Sequence, residues 1–371
     1  MPHFRSDAPL GETDVPVLTD PAEIRRLLEK VVWPSHEPIQ FLRRRGSASP
    51  SDEARYVRFH SPQSLQAIHD LGIRLPKRFH LFKGFGLEHE RPEIDKTVEC
   101  AKWLHARGMK ISVYVGGTMF SDTFSEEVPE AVNWMRLDQD RQPVTYSGYQ
   151  LWRYFPCLNN PDYLEYTRRV LDVAVDEVEA DEIFFDNQIL RHEPRSCRCG
   201  HCVRHFRDYV AKTYTHQELE RRYGFPKVGL LNPPVWSQAN QAMMYDEAKQ
   251  PDIQDWIAHR AHTVADFYKT MADYVHAKRP ETVVGLNIKG VYAHNRAFDN
   301  GVDHDLLAGK TGLQFSCLDS GQAHPKMLGS SRVSEIRTFK AANALKLPFE
   351  VGEWSDLGLS LIHISEPTRP Y

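Results

Sequence analysis

The chain of 371 residues lacks any apolar run long enough to cross a bilayer, and its first 17 residues lack the apolar core of a secretion signal. An excess of one charge is also missing, since 46 Lys and Arg stand against 50 Asp and Glu. This balance argues against nucleic acid as a partner. We therefore expect a soluble, cytoplasmic protein without a membrane partner.

Several catalytic motifs are absent as well. No G-x-G-x-x-G follows the first predicted strand, which argues against a dinucleotide-binding fold. The chain also has no P-loop, no G-x-S-x-G and no H-E-x-x-H. The sequence therefore does not carry the usual signatures of an NTPase, a serine hydrolase or a zinc peptidase.

Cysteine is scarce, yet three of the six cysteines lie close together. Cys197, Cys199 and Cys202 form a C-x-C-x2-C pattern, one ligand short of a tetrahedral thiolate site. Cys157 precedes the helix that leads to the next strand, and we expect its loop to lie beside this cysteine-rich loop. Four thiolates favour structural Zn²⁺, because a catalytic zinc keeps one position open. The alternative is a set of free surface thiols.

Strand-like and helix-like segments alternate from residue 55 onward, which predicts a parallel sheet covered by helices. About seven strands are expected, with a long amphipathic helix ending at Pro280 and another helix around 332–345. This count predicts an α/β fold of the TIM type, a (β/α)8 barrel that is incomplete at its C-terminal end. A doubly wound open sheet is the alternative. The predicted strands are 54–60, 77–85, 110–115, 181–187, 282–288, 312–319 and 347–354.

The chain divides into three predicted regions. Residues 1–53 are an N-terminal extension and residues 54–358 are the incomplete barrel. Residues 359–371, LSLIHISEPTRPY, resemble the in-frame translation of a sequencing adapter, so we leave them out of the fold. We expect that C-terminal domains beyond the barrel would provide contacts for a homo-oligomer.

Three segments together resemble the catalytic barrel of family 42 glycoside hydrolases, the bacterial β-galactosidases, and related hypothetical glycosyl hydrolases. They are RYFPCLNNPDY at 153–163, CRCGHCVRHFRDYV at 197–210, and the stretch from LNPPVWSQANQ to TVVGLNI at 231–288. The resemblance covers roughly residues 150–354. It implies a galactosidase-like barrel that acts on a carbohydrate substrate.

The resemblance also implies roles for individual residues. It places zinc at the four cysteines already named, and substrate contacts at Arg153 and Asn187. It places the nucleophile at Glu353, in the segment PFEVGE. The acid/base glutamate of the family falls on Gln188, which cannot donate a proton as a carboxylic acid does. We therefore expect Gln188 to contact the substrate without acting as the acid.

Glycoside cleavage requires two carboxyl groups, and in a barrel these project from the carboxyl ends of strands. Asp186 and Glu353 meet this requirement, with Glu350 as a spare. Either Asp186 is the general acid and Glu353 the nucleophile, or Asp186 is the nucleophile and Glu353 the acid. Trp354 beside Glu353 suits stacking on a sugar ring. Other polar residues at strand ends, Lys83 and Asn287 among them, are more typical of scaffold.

Two functions from different classes remain after these observations. The first is a glycoside hydrolase that uses Asp186 and Glu353, with a zinc-stabilised loop. The second is a carbohydrate-binding barrel without catalysis, since Gln188 occupies the position of the proton donor. A third interpretation, in which the cysteines hold a catalytic metal, is disfavoured because no H-E-x-x-H motif accompanies them.

Overall fold

The computed structural model describes residues 38–46, 48–76, 78–236, 250–289, 299–311, 313, 315–321, 327–328, 331–332, 344 and 349–353. Of the predicted features, Trp354 and the tail 359–371 lie outside these residues, as does most of the helix predicted around 332–345. No helix in the described part of the chain is long and apolar enough to cross a membrane.

The strands are short apolar runs that follow one another along the chain. They are β1 (Phe79–Phe82), β2 (Ser112–Gly116), β3 (Met119–Phe120), β4 (Arg153–Tyr154), β5 (Glu182–Asp186), β6 (Val283–Lys289), β7 (Phe315–Gly321), β8 (Met327–Leu328), β9 (Ser331–Arg332) and β10 (Phe349–Glu353). Six of them form one parallel sheet in the order β1-β2-β5-β6-β7-β10. The short strands pair as β3 with β4 and β8 with β9, both antiparallel.

Helices separate the strands of the sheet. They are α1 (Ile39–Arg44), α2 (Pro50–Phe59), α3 (Pro62–Asp70), α4 (Leu87–His105), α5 (Thr123–Glu127), α6 (Pro161–Asp172), α7 (Gly200–Thr213), α8 (His216–Tyr223), α9 (Pro251–Lys278) and α10 (His304–Lys310). Their starts follow sequence signals. Before α6, for example, the Asn160 side chain accepts hydrogen bonds from the backbone N–H groups of Asp162 and Tyr163, and Pro161 occupies the first position.

One predicted strand is wrong. Residues 54–60 belong almost entirely to α2, which begins after Ser49. The Ser49 side chain accepts a hydrogen bond from the Asp52 N–H, while the Asp52 carboxylate accepts one from the Ser49 N–H. This capping box, with Pro50 at the first helical position, outweighs the strand-like alternation that follows. The described part of the sheet therefore contains six strands rather than about seven.

The strand order increases steadily along the sheet, without the reversal that marks a doubly wound fold. The outer face carries large apolar side chains that pack under the helices. Phe185 of β5, for instance, contacts Phe267 and Tyr268 of α9, with ring centroids 6.3 and 5.8 Å away. The inner face is more polar: the Ser112 hydroxyl donates to Glu182 Oε1 at 2.7 Å. These features are those of a (β/α) barrel wall, and the predicted fold class is confirmed.

Helix α1 packs against the end of the barrel where the strands terminate. Its Phe41 is 2% exposed and joins a cluster with Phe85 and Phe120, which follow β1 and β2. The Phe41 and Phe120 rings are stacked with centroids 5.9 Å apart. Residues that precede β1 in the sequence thus pack against the loops at the carboxyl ends of β1 and β2.

Candidate active site at the carboxyl ends of the strands

Asp186 is the last residue of β5, which lies between β2 and β6 in the sheet. Its carboxylate accepts three hydrogen bonds from side chains. Oδ2 accepts from the Tyr114 hydroxyl at 2.7 Å and the Asn187 amide at 2.6 Å, and Oδ1 accepts from the Asn287 amide at 3.2 Å. Both oxygens of the carboxylate therefore act as hydrogen-bond acceptors at this strand end.

Lys83, the residue after β1, reaches this carboxylate through Tyr114. Its Nζ donates to Tyr114 Oη at 3.3 Å and lies 4.4 Å from the centroid of the Tyr114 ring and 4.5 Å from that of Phe41. The hydrogen bond and the cation–π contacts hold an ammonium group on a side chain that is only 5% exposed. A cation, a phenol and a carboxylate are thus connected across β1, β2 and β5.

A buried carboxylate fixes the backbone around Lys83. Glu90 of α4 accepts hydrogen bonds from the backbone N–H groups of Lys83, Gly84 and Phe85 at 2.7, 2.8 and 2.7 Å. His80 Nε2 lies 2.6 Å from Glu90 Oε2. Gly84 has φ of 118°, and a Cβ there would lie 2.0 Å from a backbone oxygen. The turn after β1 therefore requires glycine and is held by one side chain.

Asn187 and Gln188 follow Asp186 and differ in position. Asn187 has a positive φ of 73°, and its amide contacts the Asp186 carboxylate. Gln188 is 0% exposed, and its Nε2 donates to the backbone oxygen of Val115 at 3.2 Å. A Cβ on Gly117 would come within 2.8 Å of the Gln188 side chain. Gln188, predicted to contact the substrate, is thus packed beneath the strand ends.

Arg153, the other predicted substrate contact, lies on β4 and is 3% exposed. Its Nε donates to the Thr118 hydroxyl at 2.8 Å, and its guanidinium carbon lies 3.8 Å from the centroid of the Tyr146 ring. The rings of Phe41 and Phe120 are 5.2 and 5.7 Å away. Aromatic rings therefore surround Arg153, and its described contacts hold the β3–β4 ribbon beside the strand ends.

Glu353 is the last residue of β10, so it lies at the same edge of the sheet as Asp186. In the backbone register, another glutamate of β10, Glu350, is aligned more closely with the residues around Asp186. Asn287, whose amide contacts Asp186, pairs with Cys317, and Cys317 pairs with Glu350. The strand register therefore puts Glu350 and Asn287 in one row across the sheet. Glu353 lies three residues further on, beyond a register shift between β7 and β10.

The four predicted cysteine ligands come together. The Sγ atoms of Cys157, Cys197, Cys199 and Cys202 all lie within 4.8 Å of one another. Cys157 Sγ is 3.5 Å from Cys202 Sγ and 3.4 Å from Cys199 Sγ. A tetrahedron with metal–sulfur bonds of about 2.3 Å has sulfur–sulfur edges of about 3.8 Å. The cluster could therefore hold a metal ion, and the Asn159 amide donates to Cys202 Sγ at 3.3 Å.

The chemistry of the four thiols also suits a cation. Hydrogen bonds with the other thiols, that of Cys157 foremost, lower the pKa of Cys199 far below its usual range. Hydrogen bonds with the neighbouring thiols and burial raise the pKa of Cys202 well above that range. Four buried thiols in one cluster cannot all ionise by themselves, whereas a divalent cation compensates their charge.

A buried arginine connects the cysteine cluster to the strand end of β5. Arg136 Nε donates to the backbone oxygen of Pro156 at 2.7 Å, and its Nη1 donates to that of Ile189 at 2.6 Å. Pro156 precedes Cys157, and Ile189 lies three residues after Asp186. Burial lowers the pKa of Arg136, and the nearby cysteines act in the opposite direction. The two loops are therefore held together by a single side chain.

The sequence pattern pointed to Asp186, Asn187 and the cysteines but not to the other groups around Asp186. Tyr114 is a polar residue within a buried strand, and its alternation with Ser112 and Gly116 was the signal that it shares the inner face. Lys83 and Asn287 were taken as scaffold, although both belong to the network around Asp186.

Comparisons with known proteins support the fold. No family model matches the chain, and no curated protein matches it. Among solved structures, the β-galactosidase of the haloarchaeon Halorubrum lacusprofundi is similar, with a TM-score of 0.54 and 16% identity over 82% of this chain and 42% of that one. Gan42B, a GH42 β-galactosidase of G. stearothermophilus, matches with a TM-score of 0.55 and 14% identity over 81% of this chain and 41% of that one.

The catalytic domain of a β-amylase from Paenibacillus polymyxa matches with a TM-score of 0.56 and 10% identity, over 79% of this chain and 81% of that one. The chain thus spans about two fifths of the length of the two β-galactosidases. At these identities the likeness establishes the barrel fold. The resemblance to family 42 barrels inferred from the sequence is confirmed at that level.

Proposed function

We propose that this chain is a glycoside hydrolase, galactosidase-like in its barrel, that cleaves O-glycosidic bonds of a carbohydrate at Asp186. The observation that carries the proposal is the set of three donors around a carboxylate at the end of a barrel strand. Barrel enzymes carry their reacting groups at this end. The similar folds of β-galactosidases and of a β-amylase support the same reaction class.

Of the two arrangements open from the sequence, the hydrogen bonds favour Asp186 as the nucleophile. Every described polar contact of its side chain is with a donor, so both oxygens accept hydrogen bonds, as the oxygens of a nucleophilic carboxylate do. Oδ2 accepts two short bonds and Oδ1 one longer bond, so Oδ1 keeps more capacity to attack. Its bond to the anomeric carbon forms as the glycosidic bond breaks, and a second carboxyl group protonates the leaving oxygen. Water then releases the sugar and returns a proton to that group.

Strand β10 supplies the second carboxyl group in this proposal. Glu353 is the predicted residue and lies at the last position of the strand. Glu350 is the alternative, because it shares the register row of Asn287 and Cys317. Retaining glycosidases hold their two carboxyl groups about 5–5.5 Å apart, and inverting ones about 6.5–9.5 Å apart. Nucleophilic attack by Asp186 corresponds to the retaining class.

The alternative function, a carbohydrate-binding barrel without catalysis, rests on Gln188. The side chain at this position is a glutamine, and it is fully buried with its amide bound to Val115. In a binding barrel, Asn187 and Asp186 would hold sugar hydroxyl groups and no proton donor would be required.

We further propose that the four-cysteine cluster holds structural Zn²⁺. All four donors are thiols, and three of the four cysteines are 4% exposed or less. A closed set of four sulfur ligands leaves no position for a reacting group. The ion would hold the loop between β5 and α7 against the loop before α6. Arg136, which binds the backbone of both loops, would fix their position relative to the end of β5.

The test compares the full chain with Asp186→Asn on a panel of aryl glycosides, with sugar binding measured by calorimetry. We expect turnover to fall by at least about a thousandfold, since an amide cannot form the glycosyl intermediate, while binding is retained. Asp273→Asn, at an exposed carboxylate paired with Lys269, is the matched control and should leave turnover unchanged. Sugar binding by a wild type that hydrolyses no glycoside would instead favour the binding barrel.

A further inference from the structure

We propose that Lys83 and Tyr114 act as a coupled positioning pair that orients Asp186 and stabilises its charge during the reaction. The inference rests on the proposed function and assigns a role to two residues that the sequence pattern did not mark as catalytic. The pair is contiguous: the ammonium donates to the phenol oxygen at 3.3 Å, and the phenol donates to Asp186 Oδ2 at 2.7 Å.

The surroundings hold both side chains in place. Tyr114 is 9% exposed and pairs in register with Phe184, two residues before Asp186, on the inner face of the sheet. Lys83 is held at its backbone N–H by Glu90, and its backbone oxygen accepts from the Thr118 hydroxyl at 3.3 Å. Neither group must reorganise during the reaction, which is the condition under which a fixed donor stabilises developing charge most effectively.

The expected effect differs between the two chemical steps. When Asp186 attacks, Oδ1 becomes the ester oxygen and the negative charge on the carboxylate is lost. When water displaces the sugar, the carboxylate leaves as an anion and its charge returns, partly onto Oδ2. An ammonium next to a phenol makes the phenol a stronger donor to this oxygen. The pair should therefore accelerate hydrolysis of the glycosyl intermediate more than its formation.

A double-mutant cycle tests this coupling. We expect Tyr114→Phe to lower kcat about a hundredfold and Lys83→Gln about tenfold, in line with the loss of one preorganised donor. Because the described hydrogen bond of the Lys83 ammonium is the one to the Tyr114 hydroxyl, the double variant should be within about threefold of Tyr114→Phe alone. Lys83→Arg keeps a cation and should recover most of the activity. Thermal melting checks that each variant is folded, and Lys83→Met replaces Lys83→Gln if the latter is not.

Mass spectrometry supplies a readout that a merely structural role would not change. With a dinitrophenyl glycoside, whose leaving group needs little protonation, Tyr114→Phe should accumulate protein carrying one added glycosyl unit. The positioning pair would be overturned if the kcat losses of the two single variants multiplied in the double variant, or if Tyr114→Phe accumulated no glycosylated protein. Either result would leave the hydrolase proposal intact. Absence of turnover by the wild type on any glycoside would overturn both proposals.

Discussion

At the scale of single residues, the direction of the hydrogen bonds distinguishes the candidate reacting carboxylate better than residue type does. The sequence offers several carboxylates at strand ends, and Asp186 is distinguished by the three donors that converge on it. Gln188, two residues later, shows the reverse, because its side chain is fully buried and its described hydrogen bond goes to a backbone oxygen. Position along the sequence alone could not separate these two cases.

The second carboxyl group can be identified with paired variants. If Glu353 is the general acid, Glu353→Gln should slow hydrolysis of glycosides with poor leaving groups by about a hundredfold or more. Dinitrophenyl glycosides, which need little protonation, should be affected far less. Glu350→Gln is the matched comparison, since both residues lie on β10. The opposite ranking of the two variants would assign the role to Glu350, as the register row suggests.

A partly buried histidine makes stability depend on pH. Burial lowers the pKa of His60 from its ordinary value to about 4, and the charge of Lys96 acts in the same direction. The unfolded chain therefore binds a proton at His60 between about pH 6.5 and 4 that the folded chain does not, so stability falls as pH falls through this range, by about 1.4 kcal/mol per pH unit at most. His60→Gln should reduce this slope in urea titrations, and an unchanged slope would contradict the assignment.

At the scale of elements, the sequence predicted most strands but misassigned the segment that forms most of α2. Five of the predicted strands are apolar runs bounded by glycine, proline or polar residues, and a sixth ends at Glu353; all six are present in the sheet. The strand predicted at 54–60 was wrong because the alternation of apolar residues there was given more weight than the helix capping by Ser49 and Asp52. The β3–β4 ribbon that carries Arg153 was also missed, because each strand has only two residues and its pairing is set by the tertiary fold.

Helix α1 allows a test of how the barrel end is supported. Phe41 is 2% exposed and contacts Phe120, Lys83 and Arg153. Phe41→Ala should lower the free energy of unfolding by about 3–5 kcal/mol, because it removes a large buried ring. Leu42→Ala in the same short helix, at a partly buried position, is the control and should cost less. Equal losses in chemical denaturation would argue against a specific role for the aromatic cluster.

At the scale of the whole molecule, the described residues form two main apolar clusters. The larger one fills the space between the sheet and its helices, and the smaller one contains the four cysteines with Phe206 and Trp256. The cysteine spacing in the sequence predicted the second centre, but only the fold shows that Arg136 joins it to the strand end. Such a contact links loops distant in sequence and leaves no local pattern to read.

Removal of the metal should therefore affect both the stability of the cysteine cluster and the reaction at the strand end. We expect about one zinc ion per chain by elemental analysis, and strong chelation should lower the melting temperature and weaken turnover. Cys199→Ser should lose zinc, whereas Cys100→Ser, at a buried cysteine of the larger core, should keep it. Full stability and turnover in a zinc-free protein would exclude the structural role. Loss of turnover with stability intact would point instead to a metal in the reaction.

The burial of Gln188 limits how this barrel can be redesigned. Its amide nitrogen faces the carbonyl oxygen of Val115, and a Cβ on the neighbouring Gly117 would come within 2.8 Å of the Gln188 side chain. A glutamate engineered there would meet that carbonyl oxygen as a second acceptor, unless it stayed protonated and shielded from water. The single substitution Gln188→Glu would therefore not create a working general acid. The turn around residue 188 would have to change first.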